Sequence, residues 1–79
     1  MANIRTIVPM NLFEIGKLIQ ERRSSLRIKQ EDLAELAGIT AKSVYMLESG
    51  KGNPSYSTLA QILAVLGLDI TVHIKKIIE

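Results

Sequence analysis

The stretch that decides the fold is Gln30-Glu31-Asp32-Leu33-Ala34-Glu35-Leu36-Ala37-Gly38-Ile39-Thr40-Ala41-Lys42-Ser43-Val44-Tyr45-Met46-Leu47. It reads as two short helices joined by a tight turn. Glu31 and Asp32 sit in the first turn of the first helix, where the helix dipole favours carboxylates, and Leu33, Ala34, Leu36 and Ala37 supply its buried face. Gly38 stands where the chain must leave that helix with a positive φ, and Thr40 is suited to cap the next one. A small residue is needed where the two helices cross closely, and Ala34 provides it. Leu33, Ala37, Ile39, Val44 and Leu47 occupy the places that lock the second helix onto the first. Any one of these residues arises easily by chance, but the joint pattern is that of a helix-turn-helix.

Outward from this stretch the helical periodicity continues on both sides. Asn11 followed by Glu14 forms a capping-box pattern, and Leu12, Ile15, Leu18, Ile19 and Arg22 recur at helical spacing, which predicts a helix over 12–25. The dense turn chemistry of Ser49-Gly50-Lys51-Gly52-Asn53-Pro54 ends the third helix early. Ser55 or Ser57 then caps a fourth, with Leu59, Ile62, Leu63 and Leu66 on its apolar face and Gly67 closing it.

After Gly67 the period changes to two: Leu68, Ile70, Val72 and Ile74 alternate with Asp69, Thr71, His73 and Lys75. This predicts a strand over about 68–76. Such a strand needs a partner, either the Ile-, Thr- and Val-rich segment 3–8 or its own copy in a second subunit. The expected architecture is therefore mainly α: a single domain over 1–79, with four helices over about 12–67 and a C-terminal strand that pairs in a dimer.

Composition limits the function classes. The chain has 79 residues, 47% hydrophobic and 23% charged, so it is globular in character and too short for more than one domain. A chain of this size buries only about 60% of its extended surface, which favours a second subunit to complete the core. With no cysteine there is no disulfide framework or thiolate metal site, and a reducing cytoplasm is the expected compartment. No run approaches the ~20 apolar residues of a membrane span, and 1–10 lacks the features of a signal peptide, so neither membrane nor export is expected.

The net charge of +2 is unevenly spread. Residues 1–30 hold Arg5, Lys17, Arg22, Arg23, Arg27 and Lys29 against Glu14 and Glu21, whereas 31–48 hold Glu31, Asp32, Glu35 and Glu48 against Lys42. The cluster Arg22, Arg23, Arg27 and Lys29 suits phosphates, although a cluster of this size is also what a solvated helix end looks like.

The runs Ile28-Lys29-Gln30-Glu31-Asp32-Leu33-Ala34, Ala37-Gly38-Ile39-Thr40, Ser43-Val44 and Leu47-Glu48-Ser49-Gly50-Lys51 resemble the Cro and phage-repressor type of helix-turn-helix DNA-binding proteins, the xenobiotic-response-element family. The resemblance covers roughly 12–67 and implies a lambda-repressor-like domain whose third helix enters the major groove. It implies that Gln30 clamps a phosphate, that Thr40, Ala41, Lys42, Ser43, Tyr45 and Met46 form the reading face, and that the loop with Ser49, Lys51 and Asn53 meets phosphates. It also implies a structural pair between Arg23 and Glu48, with Ala34 and Gly38 as motif residues. Two positions depart from the family pattern. Arg27 stands where a glycine is usual, which demands an unusual turn conformation, and a strand replaces the usual fifth helix. Four helices followed by one strand resemble the HipB-type antitoxins, which implies autorepression of a toxin-antitoxin operon and a kinase-like toxin as a further partner.

The chemistry of the reading face fits this implication. Lys42 suits guanine acceptors, Ala41 and Met46 suit thymine methyls, Ser43 is permissive, and Tyr45 reaches a base edge or a phosphate. Tyr45 and Met46 are equally consistent with packing against the N-terminal segment. A homodimer presents two such helices about 34 Å apart to a palindromic operator in double-stranded DNA.

No nucleophile with a base, phosphate-binding glycine loop or paired carboxylates is legible, so an enzyme is not expected, nor is a cofactor. His73 has no second ligand beside it and gives no basis for a metal. The competing reading is a dimeric interaction adaptor that docks a protein partner through the acidic Glu31, Asp32 and Glu35 without specific DNA binding.

Overall fold

A computed structural model describes residues 11–71 of the chain. Four helices follow one another: α1 (Leu12–Ser25), α2 (Gln30–Ala37), α3 (Ala41–Glu48) and α4 (Tyr56–Val65). Each begins where a side chain or carboxylate satisfies a backbone donor that the first turn leaves unpaired. At α1 the exchange is reciprocal: Asn11 Oδ1 accepts from the Glu14 N–H at 2.9 Å and Glu14 Oε1 accepts from the Asn11 N–H at 3.0 Å. At α2 the Asp32 carboxylate accepts from the Lys29 N–H at 3.0 Å. Thr40 caps α3 through the Ser43 N–H, and Ser55, not Ser57, caps α4 through the Thr58 N–H, both at 3.1 Å.

The core is one cluster drawn from every helix: Ile19 of α1, Leu33, Ala34 and Ala37 of α2, Val44 and Leu47 of α3, Ile62 and Leu63 of α4, and Leu66 just after it. Each fully buried aliphatic side chain contributes about 1.5–3 kcal/mol, so so small a core leaves little surplus. One residue expected inside is not. Leu36 is 66% exposed, because the buried stripe of α2 is Leu33, Ala34 and Ala37, and a residue one step before Ala37 is turned about 100° away from it.

Two glycines shape the crossing of the helices for different reasons. Gly38 ends α2 at φ 74, a left-handed conformation that reverses the chain into α3. Gly16 lies buried in the middle of α1, where any Cβ would fall inside the carbonyl of Leu47. That glycine lets α1 lie directly on the backbone of α3.

The irregular segment Leu68–Thr71 follows α4, with the Leu68 N–H donating to the Leu63 carbonyl at 2.8 Å and Leu68 and Ile70 packed on the core edge. No strand occurs among the described residues. The rest of the expected C-terminal strand and the whole of the expected 3–8 strand lie outside them. No helix among the described residues is long and apolar enough to cross a membrane.

Candidate nucleic-acid interface

Which side of α3 is free follows from which side is buried. Val44, Leu47 and Glu48 face inward. At about 100° per residue this puts Lys42 and Met46 at the middle of the outward arc, with Tyr45 on one flank and Ser43 on the other. Lys42, Ser43 and Tyr45 are exposed, while Ala41 and Met46 are half-buried. Thr40 and Ser43 are already joined: the Thr40 hydroxyl donates to Ser43 Oγ at 2.9 Å, which leaves the Ser43 proton free to donate outward. The outward arc of α3 thus offers donors and methyl groups, and its one carboxylate, Glu48, is turned into the protein.

Glu48 is the hub beneath this surface. Its side chain is only 3% exposed, and it takes the Arg23 guanidinium in a fork, Nε to Oε2 at 2.6 Å and Nη2 to Oε1 at 3.0 Å. Arg23 Nη1 also donates to the Ile28 carbonyl at 2.8 Å, so the same side chain ties α1 to the turn before α2. The hydrogen bond to Glu48 raises the Arg23 pKa above its already high ordinary value, against the smaller opposing effect of burial. Gln30 Nε2 donates to Glu48 Oε1 at 2.9 Å. This bond fixes the amide of the first residue of α2 and leaves its second N–H for another acceptor.

An open groove of about 340 Å³ runs beside α3, between Lys42, Ser43 and Met46 on the helix, Lys51, Gly52, Asn53 and Pro54 in the loop, and Ser55 and Thr58 at the start of α4. Lys42 and Lys51 are its cations. The loop is shaped by Gly50 (φ 74) and Gly52 (φ 82), and Ser49 anchors it by donating through Oγ to the Tyr45 carbonyl at 2.8 Å. Lys42, Lys51 and Asn53 therefore converge on one surface with the reading arc, while Gln30 and the Arg23–Glu48 pair support it from behind α3.

Sequence reasoning overlooked two residues that hold this surface in place. Gly16 sets how closely α1 approaches α3, and its signal was an isolated glycine inside an otherwise unbroken helical pattern. Arg22, counted among the phosphate-suited cations, donates through Nε to the Leu66 carbonyl at 2.8 Å and so closes the last turn of α4. Nothing local to Arg22 signals a partner 44 residues away. No group of three or more potential metal ligands occurs among the described residues.

This geometry agrees with what the chain is similar to. Residues 18–72 match the helix-turn-helix family HTH_3. An uncharacterized HTH-type transcriptional regulator of Methanothermobacter thermautotrophicus is 38% identical over 60 residues, which cover 76% of this chain and 83% of that protein. The ImmF control region 10 kDa protein of Bacillus phage phi105 is 30% identical over 59 residues, 75% of this chain and 66% of its own length. Among solved structures, the restriction-modification controller protein C.AhdI from Aeromonas hydrophila superposes with a TM-score of 0.69 at 28% identity, covering 73% of this chain and 88% of that one. The clp gene regulator ClgR from C. glutamicum, at TM-score 0.71 and 22% identity over 82% of this chain and 83% of its own, shares the fold. With its two-helix reading unit, its outward donor face and a match across most of its length, the chain belongs to the helix-turn-helix family of transcriptional regulators, of the Cro and phage-repressor type.

Proposed function

We propose that the protein binds a palindromic operator as a homodimer and represses the operon that encodes it. The observation that carries this reading is the division of α3: Val44, Leu47 and Glu48 are held in the core, while Lys42, Ser43, Tyr45 and Met46 form an arc beside a groove whose cations are Lys42 and Lys51. In this reading Lys42 and Ser43 donate to base acceptors, and Ala41, Met46 and Tyr45 make apolar and edge contacts. Gln30, Thr40, Ser49, Lys51 and Asn53 position the protein on phosphates. Repression fits the resemblance to phage control proteins, and work on DNA fits a cytoplasmic protein.

The alternation over 68–74, following four helices, supports a finer reading as the antitoxin of a toxin-antitoxin operon, with a kinase-like toxin as partner. A controller role like that named for the C.AhdI structure is the alternative within the same class. An adaptor without specific DNA affinity is the alternative outside it, and the exposed Glu31, Asp32 and Glu35 of α2 favour that second reading.

Fluorescence anisotropy with a duplex from the upstream region, a scrambled duplex and two salt concentrations tests the proposal. Salt-sensitive binding that prefers the upstream duplex supports it, whereas absence of binding to both duplexes overturns it in favour of the adaptor. Co-purification with the product of a neighbouring kinase-like reading frame separates the antitoxin from the controller.

A further inference from the structure

The structure splits the basic cluster of the sequence into two pairs. Arg22 and Arg23 are consumed by the fold, one on the Leu66 carbonyl and the other on Glu48 and the Ile28 carbonyl. Arg27 and Lys29 are exposed, and no side-chain hydrogen bond or ion pair engages either of them among the described residues. Arg27 also has φ 61, and it is the one described non-glycine residue in the left-handed region. That conformation crowds the Cβ of any residue except glycine, so the position disfavours the arginine that occupies it.

The turn does not need the side chain. It is held by backbone bonds, the Arg27 N–H to the Ser24 carbonyl at 3.0 Å and the Ile28 N–H to the Arg23 carbonyl at 3.4 Å. A strained, exposed cation with no partner in the fold has its use outside the fold. Arg27 is also tied to the reading helix. Ile28, its neighbour, is bound through Arg23 to Glu48 at the end of α3, and Gln30 is bound to the same carboxylate. Its backbone is therefore rigidly referenced to the surface that faces DNA.

From this we infer that Arg27 is a phosphate contact of the DNA complex, gripping the backbone beside α2 without reading sequence. The inference rests on the DNA-binding reading above and adds to it a residue and a role.

The test compares the parent protein with Arg27→Gly and Arg27→Lys on the upstream and scrambled duplexes, by anisotropy from 50 mM to 400 mM salt, together with thermal melting. Loss of one phosphate contact lowers the slope of log K against log salt by about 0.9, equivalent to about eightfold in affinity near 0.1 M salt. Arg27→Gly is expected to show this loss equally on both duplexes while melting at a higher temperature, since strain is relieved. Arg27→Lys keeps the slope.

An unchanged slope in Arg27→Gly overturns the proposal, as does a loss confined to the upstream duplex, which would make Arg27 a base reader. A lower melting temperature overturns it too, by making the side chain part of the fold. A parent protein that binds neither duplex overturns the DNA-binding reading itself, a result distinct from binding that ignores Arg27.

Discussion

The carboxylate of Glu48 and the guanidinium of Arg23 meet in a two-pronged pair, 25 residues apart in sequence and nearly sealed from water, with side chains 3% and 13% exposed. The pair joins the last turn of α1 to the last turn of α3, and Gln30 at the start of α2 shares the same oxygen as Arg23 Nη2. Three helices are thus clamped at one point beneath the reading surface. Glu48→Gln removes the charge and leaves the guanidinium enclosed without a counter-ion, which is expected to cost about 3 kcal/mol in urea unfolding. The double variant Arg23→Met with Glu48→Leu should cost much less than the two single losses together, because neither charge is then left unpaired. Since the pair raises the Arg23 pKa, the stability it provides is fully present below the unfolded-state value and is lost only as pH rises through the higher folded value. Arg23 protonation therefore gives no pH dependence of unfolding between pH 6 and pH 9, a point that melting across that range checks.

Gly16 and Gly38 are expected to fail in different ways when substituted. A Cβ at Gly38 meets nothing within 4 Å, so Gly38→Ala carries only the left-handed backbone cost of about 1–2 kcal/mol, and Gly38→Asn should recover part of it. A Cβ at Gly16 collides with the carbonyl of Leu47, which is backbone and cannot swing aside. Gly16→Ala must push α1 off α3 and should cost more than Gly38→Ala, despite the better helix propensity of alanine. Equal melting temperatures for the two variants would show that the crossing tolerates separation.

Lys42 and Lys51 flank the same groove and should separate by role. Lys42 lies at the middle of the outward arc of α3, so Lys42→Ala is expected to reduce the preference for the upstream duplex by about 1–3 kcal/mol and to affect scrambled DNA less. Lys51 lies in the loop, so Lys51→Ala should weaken binding to every duplex and lower the salt slope by about 1. Competition anisotropy with both duplexes distinguishes the two patterns. Equal losses on both duplexes for Lys42→Ala would remove it from base readout.

If the protein works as a homodimer, its stability must depend on its concentration. A dimer couples association to folding, so the melting temperature should rise with protein concentration over the micromolar range, and sedimentation should show twice the chain mass. The apolar residues left at the surface, Leu18, Leu26 and Leu36 at 40–66% exposure, and the partly buried Leu68 and Ile70 leave apolar area for such an association to cover. A concentration-independent melt with monomer mass would remove the dimer from the proposal.

The sequence by itself determined what depends on near neighbours. The caps at Asn11, Thr40 and Ser55, the Asp32 carboxylate at the start of α2, the left-handed exit at Gly38 and the stripes of Leu33, Ala37, Val44 and Leu47 all act within one helical turn, so their spacing alone reveals them. The outward arc of α3 was legible for the same reason, since it is the complement of its buried stripe.

The tertiary structure alone decided what depends on how the helices cross. It turned Leu36 outward, seated Gly16 on the backbone of α3, spent Arg22 on the end of α4 and left Arg27 without a partner. The Arg23–Glu48 pair was named in advance only through a family resemblance, because nothing in the spacing of the two residues joins them. A basic side chain looks the same in a sequence whether it neutralises a buried carboxylate, closes a distant helix or waits for a phosphate. Only the packed arrangement, by enclosing some of these charges and exposing others, assigns them different work.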